Sequence, residues 1–121
     1  MKKRRCVRGL SALEHIDRDI LNVIEEFLAK LAKRVRLREA YLFGSTARGE
    51  RLPESDVDIV VVADEFEGMP LSERIRIAYR LWPLADYSAD IIPLGSGEFE
   101  RKKERSVALR DASRYWIKIY P

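Results

Sequence analysis

Cysteine and histidine are almost missing from this chain: Cys6 is the one thiol and His15 the one imidazole in 121 residues. An intrachain disulfide is therefore excluded, and so is a zinc site of the usual cysteine and histidine type. A bound metal would have to be held by carboxylates, and oxygen ligands select hard ions such as magnesium or manganese. Long apolar runs are missing too. No stretch approaches the roughly 20 residues of a membrane span, and no apolar signal core follows the charged start. The expectation is a cytoplasmic protein with no membrane partner. A second, substrate-binding domain does not fit in this length.

A large charge of one sign is also lacking. Lys and Arg total 23 against 20 Asp and Glu, and the net charge of +3 leaves nucleic acid an open question as a partner. The excess is local: Lys2, Lys3, Arg4, Arg5 and Arg8 precede any apolar period. Residues 1–10 read as a solvated basic tail, and residues 11–121 as one domain.

Apolar periodicity supplies the elements. Ser11 and Glu14 have the spacing of a capping box, and Leu13, Ile16, Ile20, Ile24, Phe27, Leu28 and Leu31 recur at three and four residues, predicting an amphipathic helix to about Lys33. His15 sits in that helix beside Ile16 and reads as structural. Arg38–Phe43 predicts a first strand, Ser45–Glu50 a short helix, Arg51–Ser55 a turn, and the aliphatic run Val57–Ala63 a buried second strand. Asp64–Pro70 reads as loop, Leu71–Trp82 as a helix stopped by Pro83, and Tyr87–Leu94 as a third strand. Beyond Gly95 and Gly97, Glu98 to about Ala112 reads as helix, and Tyr115–Tyr120 as a last short strand. The apolar Trp116 and Tyr120 are expected on a surface for a partner or a homodimer. Helices and strands in this order predict an α/β (α+β) fold, a small mixed sheet with helices packed on it.

The chemistry concentrates in Gly44-Ser45-Thr46-Ala47-Arg48-Gly49-Glu50, followed by Ser55-Asp56-Val57-Asp58-Ile59. A strand that ends in glycine and turns into a helix leaves backbone amides without partners, which attract a phosphate; Gly44 lets the chain come close, and the Ser45 hydroxyl can donate a bond. Asp56 and Asp58, two apart in a strand, share a face, and their repulsion favours a divalent cation between them. Asp90, a lone acid in an apolar strand, is expected to complete a three-carboxylate set because burying it unpartnered would be costly. Asp64 and Glu65, beyond the second strand, and Asp86, before the third, are poorer candidates. Taken singly, each feature has an ordinary explanation: a serine cap, loop acids, an acid at a sheet edge.

Together these residues resemble the signature of the minimal nucleotidyltransferases of the DNA polymerase beta-like superfamily. The resemblance follows element order from Leu13 to Leu94, with its specificity between Gly44 and Asp58. It implies that Gly44 and Ser45 hold the triphosphate of a nucleotide, ATP by analogy. Asp56 and Asp58 would bind two magnesium ions, with manganese as the alternative, and Asp90 would complete the site and help deprotonate an acceptor hydroxyl. Arg48 matches the motif's arginine, either on phosphate or paired with an aspartate. The partner implied is a HEPN-type helical toxin, neutralised by adenylylation of a tyrosine or by tight complex formation. Two functions follow: a metal-dependent transferase, or a non-catalytic antitoxin that acts by binding alone.

Overall fold

The computed structural model describes residues 18–44, 56–83, 87–105 and 117–121. Their order is α1 (Arg18–Arg34), β1 (Leu37–Phe43), β2 (Val57–Ala63), a 3-10 turn (Asp64–Phe66), α2 (Leu71–Leu81), β3 (Ala89–Gly95), α3 (Ser96–Arg105) and β4 (Ile117–Tyr120). The expected mixed α/β architecture is what forms. The capping box, the basic tail, the short helix at Ser45–Glu50, the turn at Arg51–Ser55 and any continuation of α3 to Ala112 lie outside the described residues.

The apolar spacing of α1 becomes its buried face: Ile20, Ile24, Phe27, Leu28 and Leu31. Asp19 in the first turn and Lys33 and Arg34 in the last complement the helix dipole. Each of the five buried apolar side chains contributes about 1.5–3 kcal/mol. Phe27, wholly buried, meets the Trp82 ring edge-on at 5.3 Å between centroids and ties α1 to the end of α2. Trp82 has extended backbone (ψ 125) ahead of Pro83, whose ring disfavours helix at the preceding residue.

The sheet has the order β3-β2-β1-β4. β1 runs antiparallel to both β2 and β4, whereas β2 and β3 are parallel. Every residue of β2 except Asp58 is buried. Its side chains alternate between two layers: Val57, Ile59, Val61 and Ala63 join the larger core with α1 and α2, and Val60 and Val62 pack with Leu94 and Phe99 of α3. That is why the segment reads as a continuous aliphatic run rather than an alternating one.

Several boundaries move. β1 begins one residue early, at Leu37, and β3 is shifted to Ala89–Gly95. α3 begins at Ser96 and runs through Gly97, where the glycines suggested a break. These glycines serve close packing: a Cβ on Gly95 would lie 2.3 Å from Glu67 Oε1 and 2.5 Å from its Cα. The Glu67 carboxylate accepts the Glu98 N–H at 2.9 Å in the first turn of α3, and the Glu98 carboxylate accepts the N–H of Gly95, the last residue of β3, at 3.1 Å. β4 is confined to Ile117–Tyr120, and Tyr120 is half-buried against the larger core, not an exposed contact residue as its position near the chain end suggested. Trp116 lies outside the described residues.

α2 closes the outer edge of β3. The Tyr79 hydroxyl accepts the Ile91 N–H at 2.8 Å. Arg74, only 8% exposed, donates to Pro93 O at 3.2 Å, to Met69 O at 2.7 Å and to Glu98 Oε1 at 2.6 Å. Pro93 itself has no N–H to leave open. At the same end of the sheet Arg38 holds Asp64 through its Nε (3.0 Å) and Nη2 (2.8 Å), and Ser96 Oγ donates to Asp64 at 2.6 Å. No helix among the described residues is long and apolar enough to cross a membrane.

Two outcomes test this packing. Phe27→Ala should lower the unfolding free energy by about 3–5 kcal/mol in urea denaturation, the range for removing a buried aromatic ring. The Arg38 bonds, then the Ser96 hydroxyl, hold the Asp64 carboxyl down from 3.8 to about 2. A carboxyl lowered in the folded state stabilises fully above its unfolded value and loses that contribution as pH falls through the folded one. Asp64→Asn should therefore melt below the parent at neutral pH, with the gap closing as pH falls from 3.8 toward about 2 in melts followed by circular dichroism. A gap that stays constant would mean that the Asp64 charge contributes nothing.

Candidate active site

Strand direction brings the motif residues to one end of the sheet. β1 finishes where β2 and β3 begin, and the register pairs Phe43 with Asp58 and Asp58 with Asp90. Residues in register on neighbouring strands point to the same face, with strands about 4.8 Å apart. Asp58 and Asp90 thus leave the same face one strand apart, on the side of the sheet that carries Val60, Val62 and Phe99. Asp56, two residues before Asp58, follows on that face and is exposed. Its Oδ1 accepts a hydrogen bond from Ser88 Oγ.

Gly44 closes the row from the β1 side. Its φ is 69°, in the left-handed region that favours glycine. A Cβ there would lie 2.2 Å from Asp58 Oδ2 and 3.0 Å from Asp58 Cγ. From its place in the motif Gly44 is expected to let a phosphate come close; the space above it is taken by the Asp58 carboxylate. Two demands, backbone angle and a neighbouring acid, thus fall on one residue. Ser45 and Arg48, the other expected nucleotide contacts, lie outside the described residues, as do Asp86 and His15.

Asp90 is not the buried acid expected from its apolar neighbours. It is exposed, on the edge strand β3, so no burial cost forces a cation upon it. What connects it to Asp58 is register. Ser88 was missed, although Ser88-Ala89-Asp90 repeats the spacing of Asp56-Val57-Asp58 and, in a parallel pair, sets like positions side by side. Asp64 and Glu65 are at the other end of β2, as expected: Asp64 is held by Arg38, and Glu65 accepts the Arg36 N–H at 2.6 Å.

Among the described residues no group of three or more His, Cys, Asp or Glu is arranged to hold an ion, so the three acids share a face and an end of the sheet without forming a closed cage. The donors nevertheless suit a hard cation in kind. Magnesium is commonly held by one or two carboxylates, with water and substrate phosphates completing its shell. Asp58 and Asp90, adjacent in register, supply that number.

The nucleotidyltransferase domain model matches residues 21–115, most of the chain and all of the row just described. The chain belongs to the nucleotidyltransferase domain family. This agrees with the minimal nucleotidyltransferase signature between Gly44 and Asp58. A relative from Methanocaldococcus jannaschii, which bears the name of a protein adenylyltransferase, is 36% identical over 76 residues, covering 60% of this chain and 76% of its own. A crystal structure described as a nucleotidyltransferase from Sulfolobus solfataricus is 33% identical, with a TM-score of 0.60 over 78% of this chain and 82% of that one. A toxin-antitoxin crystallised with AMP-PNP shares the fold at a TM-score of 0.55 and 23% identity, over 78% of this chain and 70% of that one.

The Gly44 geometry of this nucleotidyltransferase gives a direct test. Gly44→Ala should cost about 1–2 kcal/mol from the left-handed backbone alone, and more from contact with Asp58. Urea denaturation reads the loss, and an unchanged midpoint would contradict the close approach of Gly44 to Asp58.

Proposed function

We propose that this nucleotidyltransferase moves a nucleoside monophosphate, AMP from ATP, to an acceptor hydroxyl on a helical, HEPN-type protein partner. The observation that carries the reading is the register that sets Asp58 beside Asp90, with Gly44 against Asp58. The name of the archaeal relative supports adenylylation of protein, and the toxin-antitoxin neighbour with AMP-PNP supports a partner protein and an adenine nucleotide.

In this reading the turn at Gly44 and Ser45 binds the triphosphate through backbone amides and the serine hydroxyl, and Arg48 either contacts phosphate or pairs with an aspartate to set the turn. Asp56, Asp58 and Asp90 would hold two magnesium or manganese ions, which when bound neutralise phosphate charge and polarise the reacting oxygens. Ser88 holds Asp56 in place by hydrogen bond. The exposed Asp90 is open to an incoming acceptor and takes its proton. The acceptor oxygen forms a bond to the α-phosphorus as the bond to the bridging oxygen of the β-phosphate breaks, and pyrophosphate leaves. The protein acts in the cytoplasm.

A second reading, an antitoxin that neutralises its partner by binding alone, rests on the same structural neighbour. Incubation of the full chain with the candidate helical partner, magnesium and ATP labelled at the α-phosphate separates the two. We expect label on the partner, reduced at least 100-fold by Asp58→Asn or Asp90→Asn, the scale of losing a group that acts in the transition state. Magnesium with ATP should also raise the melting temperature of the parent and not of Asp58→Asn, because a ligand specific to the native state stabilises it. Neutralisation that persists in both variants without label would favour binding alone; an equal rise in melting temperature in Asp58→Asn would remove the metal assignment.

A further inference from the structure

Arg34, Arg76 and Arg80 converge on one groove of about 210 Å³, floored by Ile77 and Leu81, with Glu73 the only acid in its lining. Helix geometry brings them together. Glu73, Arg76, Ile77, Arg80 and Leu81 recur at three and four residues along α2 and so share one flank of it, and Arg34, the last residue of α1, stands across from them. Arg34 and Arg80 each lie in the last turn of a helix, where a cation suits the dipole, but that placement does not explain why Arg76 shares their space. Glu73 pairs with Arg76 at 3.6 Å, and among the described residues Arg34 and Arg80 have no carboxylate partner. Like charges four apart on a helix repel, so an anion set between Arg76 and Arg80 relieves a cost that the empty groove carries.

We infer that this groove is a binding site for an oligophosphate chain, separate from the candidate active site. A guanidinium presents a planar fork that meets phosphate oxygens through two hydrogen bonds, and three of them around one space call for more charge than a single carboxylate brings. The volume lies below the roughly 300–1,000 Å³ of pockets that enclose a drug-sized ligand, so the groove takes the phosphates and leaves any attached group outside. Among the described residues no aromatic side chain lines it for a base to stack on, which disfavours single-stranded nucleic acid. The apolar floor keeps water from one side of the anion and strengthens its attraction to the guanidiniums. Ile77 and Leu81 pack in the larger core, on the sheet face opposite Asp58, so a chain bound here does not compete for the acids. Binding here also needs no metal, because the groove attracts bare phosphate and the acids repel it. The inference therefore stands whether or not the acids are catalytic.

The test is isothermal titration calorimetry on the full chain in EDTA at fixed ionic strength, with inorganic triphosphate, ATP, sulfate and an oligouridylate as probes. We expect saturable binding of triphosphate without metal, with sulfate roughly tenfold weaker, and a loss of roughly tenfold or more in Arg34→Glu and in the double variant Arg76→Glu, Arg80→Glu. These arginines are exposed, so the variants should melt with the parent. Two controls should bind triphosphate like the parent: Asp58→Asn, and the double variant Lys102→Glu, Lys103→Glu, which makes the same change of net charge on α3. ATP that binds like triphosphate assigns the groove to the phosphate chain from either source; roughly tenfold tighter ATP assigns it to nucleotides, and roughly tenfold weaker ATP to free oligophosphates. The inference is overturned by absence of triphosphate binding in EDTA, by binding that vanishes in Asp58→Asn, by an equal loss in the lysine variant, by preference for sulfate or the oligouridylate, or by unchanged affinity in both arginine variants.

Discussion

Strand β2 is the constraint on which the rest depends. It is hydrogen-bonded on both edges and covered on both faces, so its register cannot slip without exposing an entire row of valines and isoleucines. Because β1 meets it antiparallel and β3 meets it parallel, the finish of one neighbour and the start of the other fall at the same end. Gly44, Asp58 and Asp90 are far apart along the chain and adjacent in space for that reason. Asp58 is the single position of β2 that escapes full burial, and it does so where the row meets solvent.

The two layers on either side of β2 are unequal in size. The larger core, built on α1 and α2, contains most of the fully buried side chains. The smaller one under α3 holds Val60, Val62, Leu94 and Phe99, and the candidate site continues this thinner layer. Tyr41 stacks on Phe99 at 5.8 Å, which extends the layer from β1 to α3. Folding energy and the acids are thus supplied largely by opposite faces of one sheet.

Much of this was legible in the residues themselves. The three- and four-residue spacing of Ile20, Ile24, Phe27, Leu28 and Leu31 is a property of a helix on a flat surface, and the run Val57–Ala63 is that of a doubly covered strand. The spacing of Asp56 and Asp58 put both acids on one face. Pairing was not legible, because it depends on which strands meet: Asp90 had to be joined to Asp58 by an argument about burial, and it is parallel register that joins them, with Asp90 exposed. Gly95 and Gly97 suggested a break since their role lies in the approach of Glu67, a residue remote in sequence. Arg74 reads as one more surface charge in a helix rich in arginine; its burial follows from carbonyls and a carboxylate contributed by other elements. Ser45 and Arg48 remain assigned from sequence alone.

The two ends of the β2–β3 pair are fastened differently. At one end Glu67 lies against Gly95 and accepts the Glu98 N–H of α3, Arg38 and Ser96 grip Asp64, and Arg74 joins α2 to Glu98. At the other, Ser88 donates to Asp56 and joins the start of β3 to the start of β2. The clamped heel thus sets the alignment of two strands whose opposite ends present the acids.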